Sequence, residues 1–164
     1  METLGLVITY QCSDAWLQSA DFERGVTRLN TLLSECGITS VAISGNCFSP
    51  GYIPDIYPHH GILSALHAGL FYRPECHLLC VAPDMPGLST ELLRWLLVSG
   101  RIAERSCHYR HHGLPLYLHN SQALRECLEH RLTCGEPVNT DCLTILQPRQ
   151  LVAPDPSCLL RTLS

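Results

Sequence analysis

The sequence predicts an α/β protein: a three-layer sandwich whose central sheet is mostly parallel and becomes mixed toward the C-terminus. Three observations lead there. Apolar runs of strand length alternate with amphipathic stretches of helix length, the pattern of a sheet covered by helices. The run Leu78-Leu79-Cys80-Val81-Ala82 is apolar throughout rather than alternating, as a strand buried on both faces requires. After residue 104 the pattern shifts to short extended stretches. With 164 residues, 46% hydrophobic and 16% charged, the chain can bury one sizeable core and is expected to form a single domain over 1–164.

The elements follow in order. Leu4-Gly5-Leu6-Val7-Ile8-Thr9 reads as a first buried strand. Polar residues follow, then Phe22, Val26, Leu29, Leu32 and Leu33 recur at helical spacing until Gly37 stops them. Ile38 to Ser44 is a second strand, ended by Gly45-Asn46, and a loop rich in Pro, Gly and Tyr covers 47–60. A helix is expected from Gly61 to Tyr72. The third major strand ends in Asp84, bracketed by Pro83 and Pro86, and Ser89 caps a helix over 89–98. Residues 104–118 read as extended structure interrupted by His111-His112-Gly113. A helix over 120–132 is capped by Asn120 or Ser121 and ends near Gly135. Leu143-Thr144-Ile145-Leu146 and Leu151-Val152 are short strands, and 156–163 a final helix.

Composition narrows the function classes. The net charge is -4 and all eleven cationic side chains are arginine, so the chain lacks the basic face that nucleic acid demands. No apolar run approaches a membrane span, and Met1-Glu2-Thr3-Leu4 lacks the flank of a signal peptide. The ten cysteines sit largely inside apolar segments, as Cys36, Cys80 and Cys127 do. They read as reduced, buried thiols of a cytoplasmic protein. Cys76-His77 with Cys80, Cys107-His108 with His111-His112, and Cys127, His130 and Cys134 lack the paired Cys-x-x-Cys spacing of structural zinc sites.

Three polar residues recur just after strands: Asn46, Asp55 and Asp84. Ligands of open α/β sheets bind at the carboxyl ends of the strands. If the strands are parallel neighbours, these side chains face one crevice. An asparagine and an aspartate there can read a nucleobase, and Asp84 can hold a magnesium ion. Taken singly, Asn46 and Asp55 equally suit turns, where such residues are favoured. His59 and His60 lie in the loop beside the crevice and, when protonated, can contact phosphate or base.

The order of these residues resembles a known family. Asn46 after a strand, Asp55, then Tyr57-Pro58-His59-His60-Gly61-Ile62-Leu63-Ser64-Ala65-Leu66, and Pro83-Asp84-Met85-Pro86, is similar to the molybdenum cofactor guanylyltransferases. In that family the middle element reads Gly-Pro-Leu-Ala-Gly and the acidic one Cys-Asp-Met-Pro. Gly113-Leu114-Pro115-Leu116 is similar to the family's later Gly-x-x-Pro-Leu strand. The resemblance implies a Rossmann-like, nucleotidyltransferase-like sheet. It also implies Asn46, Asp55 and Gly61 as contacts to GTP or another purine nucleotide, and magnesium on Asp84. The implied reaction joins GMP from GTP to a molybdopterin-type acceptor.

The sequence departs from that pattern after its first strand. The family has a glycine-rich loop whose N–H groups cradle the triphosphate, followed by a lysine. Here Tyr10-Gln11-Cys12-Ser13-Asp14-Ala15-Trp16 follows, no glycine appears until Gly25, and Arg24 or Arg28 is the nearest cation. Arginine is not an equivalent donor. Val152-Ala153-Pro154-Asp155-Pro156 replaces the family's Asn-x-Asn-Thr-Pro turn. Two readings therefore stand: a working nucleotidyltransferase of molybdenum cofactor biosynthesis, or a catalytically degenerate relative that binds a nucleotide or pterin as an accessory module.

Overall fold

Seven strands form one sheet in the computed structural model, which describes residues 1–45, 49–134 and 146–162. They are β1 (Glu2–Ile8), β2 (Val41–Ser44), β3 (Tyr52–Ile53), β4 (Cys76–Val81), β5 (Cys107–Tyr109), β6 (Leu116–Leu118) and β7 (Arg149–Leu151), in the order β3-β2-β1-β4-β6-β5-β7. β3, β2, β1 and β4 run parallel, β6 is antiparallel to both β4 and β5, and β7 is parallel to β5. The expected mixed character enters through β6. β1 lies between β2 and β4, and its Leu4, Leu6, Val7 and Ile8 are at most 1% exposed. This double-sided burial explains its continuous apolar run.

Among the described residues there are five helices: α1 (Asp14–Leu17), α2 (Ala20–Glu35), α3 (Ile62–Tyr72), α4 (Thr90–Ala103) and α5 (Gln122–Thr133). Close approaches at glycines assign them to faces. A side chain at Gly5 would meet Leu33 of α2, whereas Gly69 of α3 sits against Leu6 and Leu78. Gly5 and Leu6 are adjacent in β1 and point to opposite faces. Gly5 pairs with Leu79 and Leu79 with Tyr117, against which Gly100 of α4 packs. So α2 and α4 share one face, while α3 covers the other and packs against α5. The expected three layers are present.

Several expectations change in detail. Ser89 and Ser121 each accept a backbone N–H three residues on, so Ser121 rather than Asn120 caps α5. α4 runs to Ala103, past the expected end, and is stopped by Glu104 at φ 51°. Tyr52-Ile53 is a true strand, paired to Ile43 and Ser44 inside what reads as loop. The final helix reduces to one 3-10 turn at Pro156–Leu159. Thr162 N–H bonds to the Asp84 carbonyl at 2.8 Å instead of continuing a helix, so the tail runs extended across the β4–α4 loop. α5 ends at Thr133 with Cys134 as its C-cap; Asn46, Gly135 and the strand expected over 143–146, save Leu146, lie outside the described residues.

Candidate functional site

The parallel strands β2, β3 and β4 bring Ser44, Ile53 and Val81 to one edge of the sheet, which places Asp55 and Asp84 on it. Asp84 follows β4 on a loop that α2 approaches at Gly25. A side chain at Gly25 would lie 2.3 Å from the Pro83 carbonyl oxygen. The Asp84 side chain is 3% exposed. Arg161 Nε donates to Oδ1 at 2.9 Å and to Oδ2 at 3.2 Å. Its other nitrogens reach the Tyr10 carbonyl and Gln11 Oε1 only at 3.4 and 3.5 Å. Removing Arg161 would leave the buried Asp84 carboxylate unpaired, a change that costs roughly 3–5 kcal/mol in buried pairs.

This geometry does not fit a resident metal. Ions of the magnesium class keep several waters in an octahedral shell, and here the carboxylate is closed off and both its oxygens accept from one guanidinium. Among the described residues no three His, Cys, Asp or Glu side chains converge as a ligand set.

Asp55 is set differently. Its Oδ1 is buried and has no hydrogen-bond partner among the described residues. Burial pushes its carboxyl above the usual range, opposed by His59. Three inter-strand spacings separate β3 from β4, roughly 14 Å at the usual spacing, so Asp55 and Asp84 leave the same edge from well-separated strands. His60 donates its backbone N–H to Ser64 Oγ at 3.0 Å, and its Nδ1 is buried without a partner among the described residues. His59 is exposed, with φ 71°.

Two groups of this site are invisible in the sequence pattern. Tyr57 OH donates to Glu129 Oε1 at 2.8 Å, while Glu129 Oε2 meets His67 Nε2 at 2.5 Å. These bonds, that to His67 first, hold the Glu129 carboxyl below its ordinary range and tie the Asp55 loop to α5. Arg161 is the other. It lies 77 residues from Asp84, in a tail with no motif around it.

Tyr10 occupies the place where a glycine-rich cradle is expected. Its ring packs on Gly61, where an added Cβ would lie 3.1 Å from Tyr10 Cζ. Gly61 itself adopts φ 60° and ψ -138°, open essentially to glycine alone. Cys12 N–H turns back to the Thr9 carbonyl, Gln11 holds φ 72°, and Ser13 caps α1 by accepting Trp16 N–H. Trp16 packs edge-on against Phe22, ring centroids 5.9 Å apart.

Of the two candidate cations, Arg28 donates to the Met85 and Leu88 carbonyls and holds the Asp84 loop. Arg24 pairs with Asp21 in solvent. Arg24, Arg28, Trp16 and Asp84 line a cleft of about 460 Å³. A second cavity of about 320 Å³ opens beside Tyr10, Ile62, His111, His112 and Arg161.

Comparisons with known proteins agree with this architecture. A protein of Aquifex aeolicus VF5 of known crystal structure matches with a TM-score of 0.76 at 14% identity, covering 99% of this chain and 93% of the other. The 2-C-methyl-D-erythritol 4-phosphate cytidylyltransferase of Thermus thermophilus matches at 0.59 with 12% identity, over 99% and 93%. A Mycobacterium tuberculosis H37Rv protein crystallised with manganese matches at 0.53 with 15% identity, over 93% and 88%. At these identities the likeness is one of fold. No curated protein matches in sequence. The family model for the MobA-like NTP transferase domain matches residues 23–143, a span that begins beyond the Tyr10 loop and contains both aspartates. On that match, over well more than half its length and with both strand-end aspartates inside it, the chain belongs to the MobA-like NTP transferase domain family.

Proposed function

We propose that this nucleotidyltransferase-like protein binds a purine nucleotide at the carboxyl edge of β1–β4 and serves as a nucleotide- or pterin-binding accessory module. The observation that carries it is Asp55 Oδ1, a buried acceptor with no partner among the described residues. Orphaned buried acceptors are costly, and the N–H edge of a guanine satisfies one. Asn46 and Gly61 complete the nucleotide contacts in this reading.

The alternative is transfer of GMP from GTP to a molybdopterin-type acceptor in the cytoplasm. Family membership favours it. The Tyr10 loop weighs against it, because its N–H groups close a turn and a helix cap where a triphosphate cradle is needed. The magnesium expected on Asp84 belongs to this alternative and requires Arg161 to leave.

Calorimetric titration of GTP, with and without magnesium, tests the proposal. Micromolar binding that is weakened in Asp55→Asn, with no pyrophosphate released when molybdopterin is added, is the expected result. Pyrophosphate release would establish the transferase instead. Absence of binding by any purine nucleoside triphosphate would overturn both.

A further inference from the structure

The structure assigns Arg161 as the residue that excludes divalent metal from Asp84, supplying from the chain's own tail the positive charge a metal would bring. The inference rests on reading the carboxyl edge as the site, but it concerns metal selectivity, which can be measured without nucleotide.

The fit is built from several contacts. Arg161 Nε spans both carboxylate oxygens at 2.9 and 3.2 Å, and such charge-assisted bonds are among the stronger ones in proteins. The Asp84 side chain is 3% exposed and the Arg161 side chain 26%, so little water reaches the carboxylate. The strap carrying Arg161 is anchored on both sides. Thr162 N–H bonds to the Asp84 carbonyl at 2.8 Å. Upstream, Leu159 is buried, and Cys158 backbone lies so near Gly87 that a side chain there would come within 2.7 Å. The strap also lies beyond residues 23–143, the span matched by the family model, so the partner of Asp84 comes from outside the matched region. A metal reaching Asp84 has to displace a guanidinium carried on a strap anchored on both sides, and then stands beside a like charge with one carboxylate to bind it.

The cleft and the cavity flank this pair. Asp84 and Thr162 line the cleft of about 460 Å³, and Arg161 lines the cavity of about 320 Å³. Asp84 thus borders one space and Arg161 the other. An anionic ligand entering the second meets the outward nitrogens of Arg161, which make only long contacts to Tyr10, Gln11 and Cys12.

Manganese alone is the probe, followed by electron paramagnetic resonance and calorimetry. The wild type is expected to show no site at millimolar manganese. Arg161→Ala is expected to bind at least tenfold more tightly, and the added Asp84→Asn change to abolish that gain. Wild-type binding that depends on Asp84, or a folded Arg161→Ala without the gain, overturns the assignment. Should Arg161→Ala not fold, the wild-type Arg161 Nε–H resonance decides. It stays sharp in stoichiometric manganese if Arg161 excludes the ion, and its broadening overturns the inference. Either failure leaves nucleotide binding through Asp55 untouched.

Discussion

The two aspartates of the edge show how one residue type acquires opposite characters from its surroundings. Asp84 is buried and matched by a guanidinium, whereas Asp55 Oδ1 is buried with no partner among the described residues. Desolvation raises the Asp55 carboxyl above 3.8, so the folded state holds its proton more tightly than the unfolded chain. Its ionised form therefore costs stability above the folded value, and that cost is relieved as pH falls through it toward 3.8. Asp55→Asn removes the charge and keeps a carbonyl acceptor. At pH 7 it should raise stability slightly, by on the order of 0.5 kcal/mol since part of the side chain meets water, and the gain should shrink toward pH 4. The same change should weaken purine nucleotide binding. Urea unfolding at the two pH values, beside calorimetry, checks both halves. A destabilised variant would mean that Asp55 is a structural acceptor.

At the scale of elements, α2 and the β4–α4 loop position Asp84 by contact of backbone with backbone. Gly25 lies within the helix, where glycine costs roughly 1 kcal/mol relative to alanine. An alanine there gains that propensity but puts Cβ at 2.3 Å from the Pro83 carbonyl oxygen, a group that cannot rotate away. Overpacking of this kind costs roughly 1–3 kcal/mol, and moving α2 outward also strips Arg28 from the Met85 and Leu88 carbonyls. The clash should win. Gly25→Ala is expected to lose about 1–2 kcal/mol in urea unfolding and to loosen the Asp84–Arg161 pair, seen as a shift of the Arg161 Nε–H resonance. Unchanged stability would show that the helix rides free of the loop.

Across the whole molecule, legibility follows the range of the interaction. β1 and β4 are readable because burial on both faces writes a continuous apolar run, and Asp84 because its prolines mark where such a run ends. β3 is two residues long and exists only through its pairing with β2, so no local pattern marks it. The tail reads as a helix from its own composition, yet its bonds go to Asp84, 78 residues away. Arg161 is hidden for the same reason. The cysteines report how far this long-range order is one cooperative unit. Cys76, Cys80 and Cys107 are fully buried in β4 and β5, while Cys127 and Cys134 are exposed on and after α5. Burial is the main cause raising the Cys76 and Cys107 thiols, which lowers their thiolate fraction as well as their access. Iodoacetamide should modify Cys127 and Cys134 in the native protein, with the β4 and β5 thiols slower by roughly a thousandfold or more, as a stability of about 5 kcal/mol implies. Their labelling should rise with urea at the global unfolding midpoint. Peptide mass spectrometry resolves each site. If Cys107 instead labels well below that midpoint while Cys80 stays protected, then β5, β6 and β7 open as a separate unit and only the parallel half carrying the aspartates is the rigid core.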